Sequence, residues 1–599
     1  MQTTNDVHQQ FAEYFDSEAL KPYAYLLSKK LSEGHICLHL DKFEDLNEQL
    51  PTYYKQLDKN NKVLKTIKHV ASNGNDKKPF ILFQNRLYLQ RYYRYETSFL
   101  ERIRQFSEDE KTLQPARKAL LNANKELIFQ LFDGSAGPVK NDEKNQTDWQ
   151  LIAALTGVLN NFTIITGGPG TGKTTTVAKI LAILYTIHPL LKVALAAPTG
   201  KAASRMSESL RNTSQLPDAS ITTKLQSLHP STIHRLLQPK KGSPYFYYNE
   251  SNPLHYDLVI VDECSMIDVA LFAKLLNAVG PSTRLILLGD KDQLASVEAG
   301  SLFGDLCQSQ AGLNLFSSDR REFINTFIQD EQRKLPESLI VNDSQHPLFE
   351  HLVELRQSHR FTGNAGIGLF SKAIILNDEP VIRKFLQAQA GEQVSIDQSY
   401  SKELFEKFVS GYTAFIEEKD ILTALRYMNN LRVLCAVREG EQGLYAINKA
   451  IEKYLHDKKH IKVNAEFYEN RPIILTRNYY DQGLFNGDTA IIRPNEKGVL
   501  MAWFEDGNGG LKSVLPGYLS EAETVFAMTI HKSQGSEFNQ VLVILPQAID
   551  VPILTRELLY TAVTRARTKV YLQSSEIVLL ASCQRFVERA SGIASRFLG

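Results

Sequence analysis

The octapeptide Gly167-Gly168-Pro169-Gly170-Thr171-Gly172-Lys173-Thr174 constrains the fold more than any other part of the chain. An apolar, strand-like run, Phe162-Thr163-Ile164-Ile165-Thr166, precedes it, and a helix-like run from Val177 to Leu184 follows. Between a strand and a helix, the pattern G-x-x-x-x-G-K-[ST] folds into a phosphate cradle whose backbone amides converge on an anion at the helix N-terminus. Lys173 then reaches the outer phosphates and Thr174 offers its hydroxyl to magnesium. A chance glycine turn would lack both flanks. The main fold is therefore expected to repeat strand and helix around a parallel sheet.

Hydrolysis needs carboxylates near such a cradle. The run Asp257-Leu258-Val259-Ile260-Val261 reads as a fully buried strand that delivers Asp262 and Glu263 at its C-terminal end. Asp262 suits a magnesium ion, and Glu263 suits the orientation and deprotonation of an attacking water. After an apolar run alone, such a pair is ordinarily a solvated strand end; downstream of a phosphate cradle the catalytic reading prevails.

The 599 residues leave room for roughly three to five domains. A 43% hydrophobic and 23% charged composition supports buried cores and excludes wholesale disorder. Cys37, Cys264, Cys307, Cys435 and Cys583 are scattered without a C-x-x-C pair, which argues against a disulfide framework and a zinc site. The first residues lack an apolar signal core, and Lys179, His188 and Lys192 interrupt the longest apolar stretches, so a soluble, cytoplasmic protein is expected. The net charge of +1, from 68 basic and 67 acidic residues, points to a confined groove for any nucleic acid rather than a basic face.

Four segments are expected. Residues 1–132 form a separate N-terminal α+β module. Within it, Pro79 to Tyr92 reads as two strands around a turn at Gln84-Asn85-Arg86. Tyr88, Tyr92, Tyr93 and Tyr95 interleave with Arg86, Arg91 and Arg94, a composition that suits base stacking, a protein interface or a hairpin whose tyrosines cover a small core. Residues 133–147 are a polar linker. Residues 148–345 form a first parallel-sheet domain with an insertion at about 205–255. Residues 346–599 form a second, lacking its own cradle and carrying a small inserted β-barrel at about 485–522.

Further blocks share this frame: Trp149-Gln150; Ala197-Pro198-Thr199-Gly200-Lys201; Ser231-Thr232-Ile233-His234-Arg235; Asp262-Glu263-Cys264-Ser265; Gly289-Asp290-Lys291-Asp292-Gln293; Leu355 to Phe361; Thr529 to Phe538; and Tyr560 to Ala566. From about Asp148 to the C-terminus their order and spacing resemble superfamily 1 helicases, specifically the RecD group, which moves 5′ to 3′ on single-stranded DNA. The resemblance implies an α/β fold of two RecA-like domains with a P-loop NTPase core, using ATP and Mg2+. It places Gln150 on the adenine edge. Gly167, Gly168, Pro169, Gly170, Thr171, Gly172, Lys173, Thr174 and Thr175, with Gly535 and Glu537, fall around the rest of the nucleotide. Thr174 and Asp262 become the magnesium ligands, and Lys173, Asp262, Glu263, Gln293, Arg360 and Arg565 the catalytic set. Pro198, Thr199, His234, His531, Lys532 and Ser533 become DNA contacts. Taken singly, the two histidines would more often be core or surface residues, and the DNA role rests on the blocks that contain them.

Cations drawn from two domains onto one γ-phosphate would make catalysis depend on closing the cleft. The short N-terminal module resembles that of RecD chains in bacterial RecBCD recombination and repair complexes, where it docks on RecC. RecB-like and RecC-like partners, and unwinding at double-strand breaks, follow from that resemblance. No clustered nuclease signature occurs, so cutting falls to another subunit. A helicase motor, an ATP-dependent regulatory subunit, a stand-alone RecD-like helicase and a non-enzymatic scaffold remain as readings.

Overall fold

Phe162–Gly167 is one of six strands of a wholly parallel sheet in a computed structural model of the chain. The structure describes residues 6–58, 62–73, 76–133, 147–212, 218–296, 298–341, 344–361, 365–389, 391–506 and 509–597. Across the sheet the order is Leu352–Leu355, Phe162–Gly167, Arg284–Gly289, Leu258–Val261, Val193–Ala197 and Ser231–Thr232. The central strands are largely apolar because both faces are covered, with Thr163, Thr166 and Arg284 as exceptions. Helices Trp149–Leu159 and Lys173–Ile187 seal one face against Ile165, Ile286 and Leu288. Helices Val269–Ala278 and Gln90–Ala123 seal the other against Ile164, Leu285 and Leu287. Parallel strands finish on one edge, so the chain leaves them there at Gly167, Pro198, Asp262 and Asp290.

A second parallel sheet runs Val394–Asp397, Ala566–Gln573, Phe538–Ile544, Leu431–Cys435 and Ala527–Thr529. No helix among the described residues is long and apolar enough to cross a membrane.

Several boundaries differ from the sequence reading. Leu352–Leu355 pairs in parallel with Phe162–Gly167, so the first sheet extends past the expected division at 345/346. The segment expected as a β-barrel at 485–522 belongs to a five-stranded antiparallel sheet that already starts at Pro472–Leu475. Its edge strands Leu511–Val514 and Ala522–Thr524 do not pair with each other among the described residues, so it is open by its ladders. Of the expected insertion at 205–255, helix Gly200–Arg211 covers the sheet through Met206 and Leu210, and Ser231–Thr232 joins the sheet's edge. Most of the expected linker, residues 134–146, lies outside the described residues.

The N-terminal module is packed on the first sheet rather than separate. Its strands Phe80–Phe83 and Arg86–Leu89 form the expected hairpin, but Gln90 opens a helix of 34 residues. Tyr92, Tyr93 and Tyr95 therefore sit on helical turns; Tyr93, Glu96, Phe99 or Leu100, Ile103 and Phe106 recur every three to four residues on one buried face. That helix continues to the first sheet's lower edge, where Arg117 donates to the Leu159 carbonyl at 2.7 Å and Glu110 accepts from Asn161 N at 2.8 Å. The chain's last segment leaves the second sheet and returns to this module: Gly592 N donates to Glu96 at 2.7 Å, and Ile593 and Phe597 enter the core beside Phe99.

Candidate nucleotide cleft

Gly170 and Gly172 hold φ values of +78° and +84°, which bend the loop so that helix Lys173–Ile187 starts directly from it. Lys173 Nζ donates to the Gly167 carbonyl at 2.6 Å and the Gly168 carbonyl at 3.3 Å. Its charge reaches two carboxyls. Burial pushes both Asp262 and Asp290 up from the ordinary carboxylate range, Glu263 adds to the rise at Asp262, and Lys173 opposes it at both. Glu263 turns the chain sharply at φ +54°, and its N–H donates to Asp262 at 2.8 Å.

Asp290 joins the two sheets. Its Oδ2 accepts from Gln293 Nε2 and from the Tyr560 hydroxyl, each at 3.0 Å. Beside it, Leu294 N donates to Thr561 Oγ1 at 2.9 Å, and Gln534 Nε2 donates to the Leu294 carbonyl at 2.6 Å. A Cβ on Gly168 would lie 2.9 Å from the Tyr560 hydroxyl, so the second lobe reaches the cradle itself.

Arg360 arrives differently from the sequence expectation. It lies on the connector between Leu352–Leu355 and the second lobe, not on the far lobe's own sheet. That connector crosses the cradle: Ser358 Oγ donates to the Pro169 carbonyl at 3.0 Å and His359 N to the Gly170 carbonyl at 2.8 Å. Arg360 Nη2 meets Glu537 at 2.7 Å. Arg565 is 3% exposed and donates to the carbonyls of Thr561 and Ser536 at 3.1 and 3.2 Å.

Four buried polar atoms in these blocks have no partner among the described residues: Ser265 Oγ, Gln293 Oε1, Arg360 Nη1 and Ser536 Oγ. Such groups are costly unless a ligand or water completes them, and an unpaired guanidinium N–H beside a phosphate loop fits a triphosphate. Thr174 is half-buried and Thr175 exposed on the first helical turn. No group of three or more His, Cys, Asp or Glu able to hold a metal occurs among the described residues. Thr174 and Asp262 therefore suit magnesium only with phosphate and water as further ligands. Gln150 lies beside the loop, its Nε2 donating to the Thr171 carbonyl at 3.3 Å.

The expected DNA contacts separate. Thr199 caps helix Gly200–Arg211 by accepting from Ala202 N at 3.2 Å, and it faces Gly535: a Cβ there would lie 3.9 Å from Thr199 Oγ1. Gly535 thus lies beside the Pro198-Thr199 loop. His234 is exposed, its ring 5.7 Å from Phe246, while half-buried Lys532 pairs with Glu523 at 2.9 Å. Burial and nearby Arg589 push the His531 imidazole below its ordinary value. Ser533 corrects the sequence reading: it is fully buried and its hydroxyl donates to the Ile530 carbonyl at 2.6 Å, so it braces the turn and has no surface for DNA.

Three family models match. Residues 5–88 match the N-terminal domain of RecBCD enzyme subunit RecD, 150–299 an AAA domain, and 524–573 the UvrD-like helicase C-terminal domain. The RecBCD enzyme subunit RecD of Haemophilus influenzae is 33% identical over 494 residues, covering 76% of this chain and 72% of that one. This chain belongs to the RecD family. An ATP-dependent RecD2 DNA helicase of Deinococcus radiodurans is 29% identical over 69% of this chain and 47% of its own. Pif1 helicase from Bacteroides, solved with ADP-AlF3 and single-stranded DNA, overlaps 73% of this chain and 94% of its own at 16% identity and a TM-score of 0.35, too low to add weight.

Within this RecD-family chain, residues beyond the expected set complete the cleft. Tyr560 and Thr561 carry the cross-lobe bonds from the block that supplies Arg565. Their signal was their place one helical turn before that arginine on helix Arg556–Val563. Arg205, 3.8 Å from Glu537, gave none, because its partner is over 300 positions away.

Proposed function

We propose that this chain is an ATP-driven 5′-to-3′ single-stranded DNA translocase and helicase, the motor subunit of a RecBCD-type helicase and nuclease in double-strand break repair. RecB-like and RecC-like subunits are its partners in the cytoplasm, and the N-terminal module docks on the RecC-like one. The observation that carries the reading is the contact of three elements on one phosphate loop: the connector at Pro169 and Gly170, Tyr560 at Gly168, and Lys173 within the loop itself.

Lys173 trades the carbonyls of Gly167 and Gly168 for phosphate oxygens of ATP. Glu263 orients and deprotonates the attacking water, with Gln293 beside it. Arg360 and Arg565 offset the charge that develops on the transferred phosphoryl group, a contribution of about 10³ to 10⁵ in rate for one arginine finger. Thr174 and Asp262 would hold a magnesium ion, which would supply positive charge against the phosphates. Because Tyr560, Thr561 and Gln534 hang the second lobe on the Asp290–Leu294 segment, loss of the γ-phosphate is felt at the lobe seam. Pro198 and Thr199 on the first lobe, His234, and His531 with Lys532 on the second are taken as separate contacts to a DNA backbone, so alternating grips of the two lobes advance the strand.

Lys173→Gln in the assembled complex tests this. We expect single-stranded-DNA-stimulated ATP hydrolysis by this subunit to vanish, together with displacement from duplexes bearing a 5′ overhang, while 3′-overhang unwinding persists. An ATPase rate indifferent to DNA, or unwinding unchanged by the substitution, defeats the motor reading; altered nuclease control with intact unwinding supports the regulatory-subunit reading.

A further inference from the structure

We propose that His359 is an internal stand-in for the base: it occupies the amide of Gln150 and gives way to adenine, coupling base recognition to the connector that carries Arg360. The idea rests on the reading of Gln150 as the adenine contact.

A glutamine amide has two N–H donors. In this structure both are engaged, one by the Thr171 carbonyl at 3.3 Å and one by His359 Nε2 at 3.2 Å. Because an amide nitrogen only donates, the imidazole Nε2 accepts and its proton sits on Nδ1. Adenine read by a glutamine offers the same kind of group, a ring-nitrogen acceptor beside an amino donor. The imidazole thus presents to Gln150 what the base would present.

One of the two partners must yield when the base arrives. Thr171 is 5% exposed, and its hydroxyl is tied to the Gly168 carbonyl at 2.9 Å. His359 is exposed, so it yields. Its backbone N–H is fastened to the Gly170 carbonyl, and the next residue is Arg360, so displacing the ring pulls on the segment that aims the arginine. The same connector meets the base side once more, where Arg356 lies 5.1 Å over the Trp149 ring. Phosphates alone make no such exchange, which separates this device from the cradle.

Binding of ADP and of inorganic tripolyphosphate to the purified full chain, measured by calorimetry, tests it. His359→Ala should tighten ADP about fivefold, the worth of one released hydrogen bond, and leave tripolyphosphate unchanged. His359→Gln, which restores an acceptor, should return ADP to the wild-type value. Weaker ADP binding by His359→Ala, or an equal change for both probes, overturns the proposal. Gln150→Ala in the same assay examines the underlying reading: if ADP keeps its advantage over tripolyphosphate there, adenine is not read by Gln150, whatever His359 does.

Discussion

Glu537 accepts a hydrogen bond from Arg360 at 2.7 Å, tying the connector over the phosphate loop to the first residues of the second lobe's strand Phe538–Ile544. The same carboxylate takes Arg567 at 3.0 Å and lies 3.8 Å from Arg205 of the first lobe. One acid therefore collects three arginines at the seam.

Those arginines set its titration. Burial pushes the Glu537 carboxyl up, but Arg205, Arg360 and Arg567 outweigh it and bring it from 4.5 to about 2. A depressed acid stabilises the fold fully above its unfolded value and loses that contribution as pH falls toward the folded one. Glu537→Gln should therefore cost roughly 1–3 kcal/mol at pH 7, with the gap to wild type narrowing as pH drops below about 4.5. Urea titrations of both proteins at pH 7, 5 and 3.5 measure it; a gap independent of pH contradicts the pairing.

Gly170→Ala should disable the cleft without unfolding the chain. At φ +78° a side chain is strained, and the new Cβ would run into the Cβ of Arg360. We expect ATPase activity to fall at least tenfold, on the order of the loss from misplacing a catalytic group, while far-UV circular dichroism is unchanged. Activity near wild type would mean that the connector does not rest on the loop during turnover.

The cradle and its carboxylates were legible in the sequence because strand, loop and helix are adjacent along the chain and each part carries its own pattern. The second sheet's strands Leu431–Cys435 and Phe538–Ile544 were legible through their apolar stretches, Val433-Leu434-Cys435 and Val541-Leu542-Val543-Ile544, which are buried on both faces, although Arg432, Asn539 and Gln540 interrupt the pattern before them. What was hidden depends on pairing at a distance. Leu352–Leu355, a short run interrupted by Glu354, has no strand signal of its own until it is seen beside Phe162–Gly167. Tyr92, Tyr93 and Tyr95 next to a hairpin look like its continuation, since a few residues cannot separate a period of two from one of 3.6. Ser533, within a motif that resembles a DNA contact, is turned inward by a one-turn 3-10 helix that periodicity cannot detect. The return of the C-terminus to the N-terminal module leaves no local trace.

That return packs against a pH-sensitive acid. Asp305, on helix Leu302–Cys307, has a buried Oδ2 with no hydrogen-bond partner among the described residues. Burial raises its carboxyl from 3.8 to about 7, with Glu96 adding to the rise while Ser591 and Arg589 oppose it. A raised acid costs nothing at low pH, where both states hold the proton, and costs progressively more as pH climbs from the unfolded to the folded value. Asp305→Asn should match wild type near pH 4 and exceed it above pH 7 by up to roughly 4 kcal/mol, at 1.36 kcal/mol per unit. Thermal melts across that range decide, and an Asn variant less stable at pH 8 would show that the ionised form is held by partners.

The strap itself hangs on Arg596. Its guanidinium meets the fully buried Glu96 at 3.0 Å, donates to Thr97 at 2.5 Å and lies 4.3 Å over the Tyr93 ring. Removing one partner of a buried pair strands the other charge, so Arg596→Ala should destabilise by about 3–5 kcal/mol. Replacing both by apolar residues of similar size, Glu96→Leu with Arg596→Met, should recover much of that loss, because no charge is left unpaired and what is missing is the hydrogen bonds to Gly592, Thr97 and the Tyr93 carbonyl. The readout is hydrogen exchange in helix Gln90–Ala123 alongside global unfolding. If the strap fastens the N-terminal module, the single variant loosens the first turns of that helix, around Tyr93 to Phe99, before the nucleotide lobes melt. Uniform loss of protection over the whole chain would instead make the pair one ordinary part of a single cooperative core.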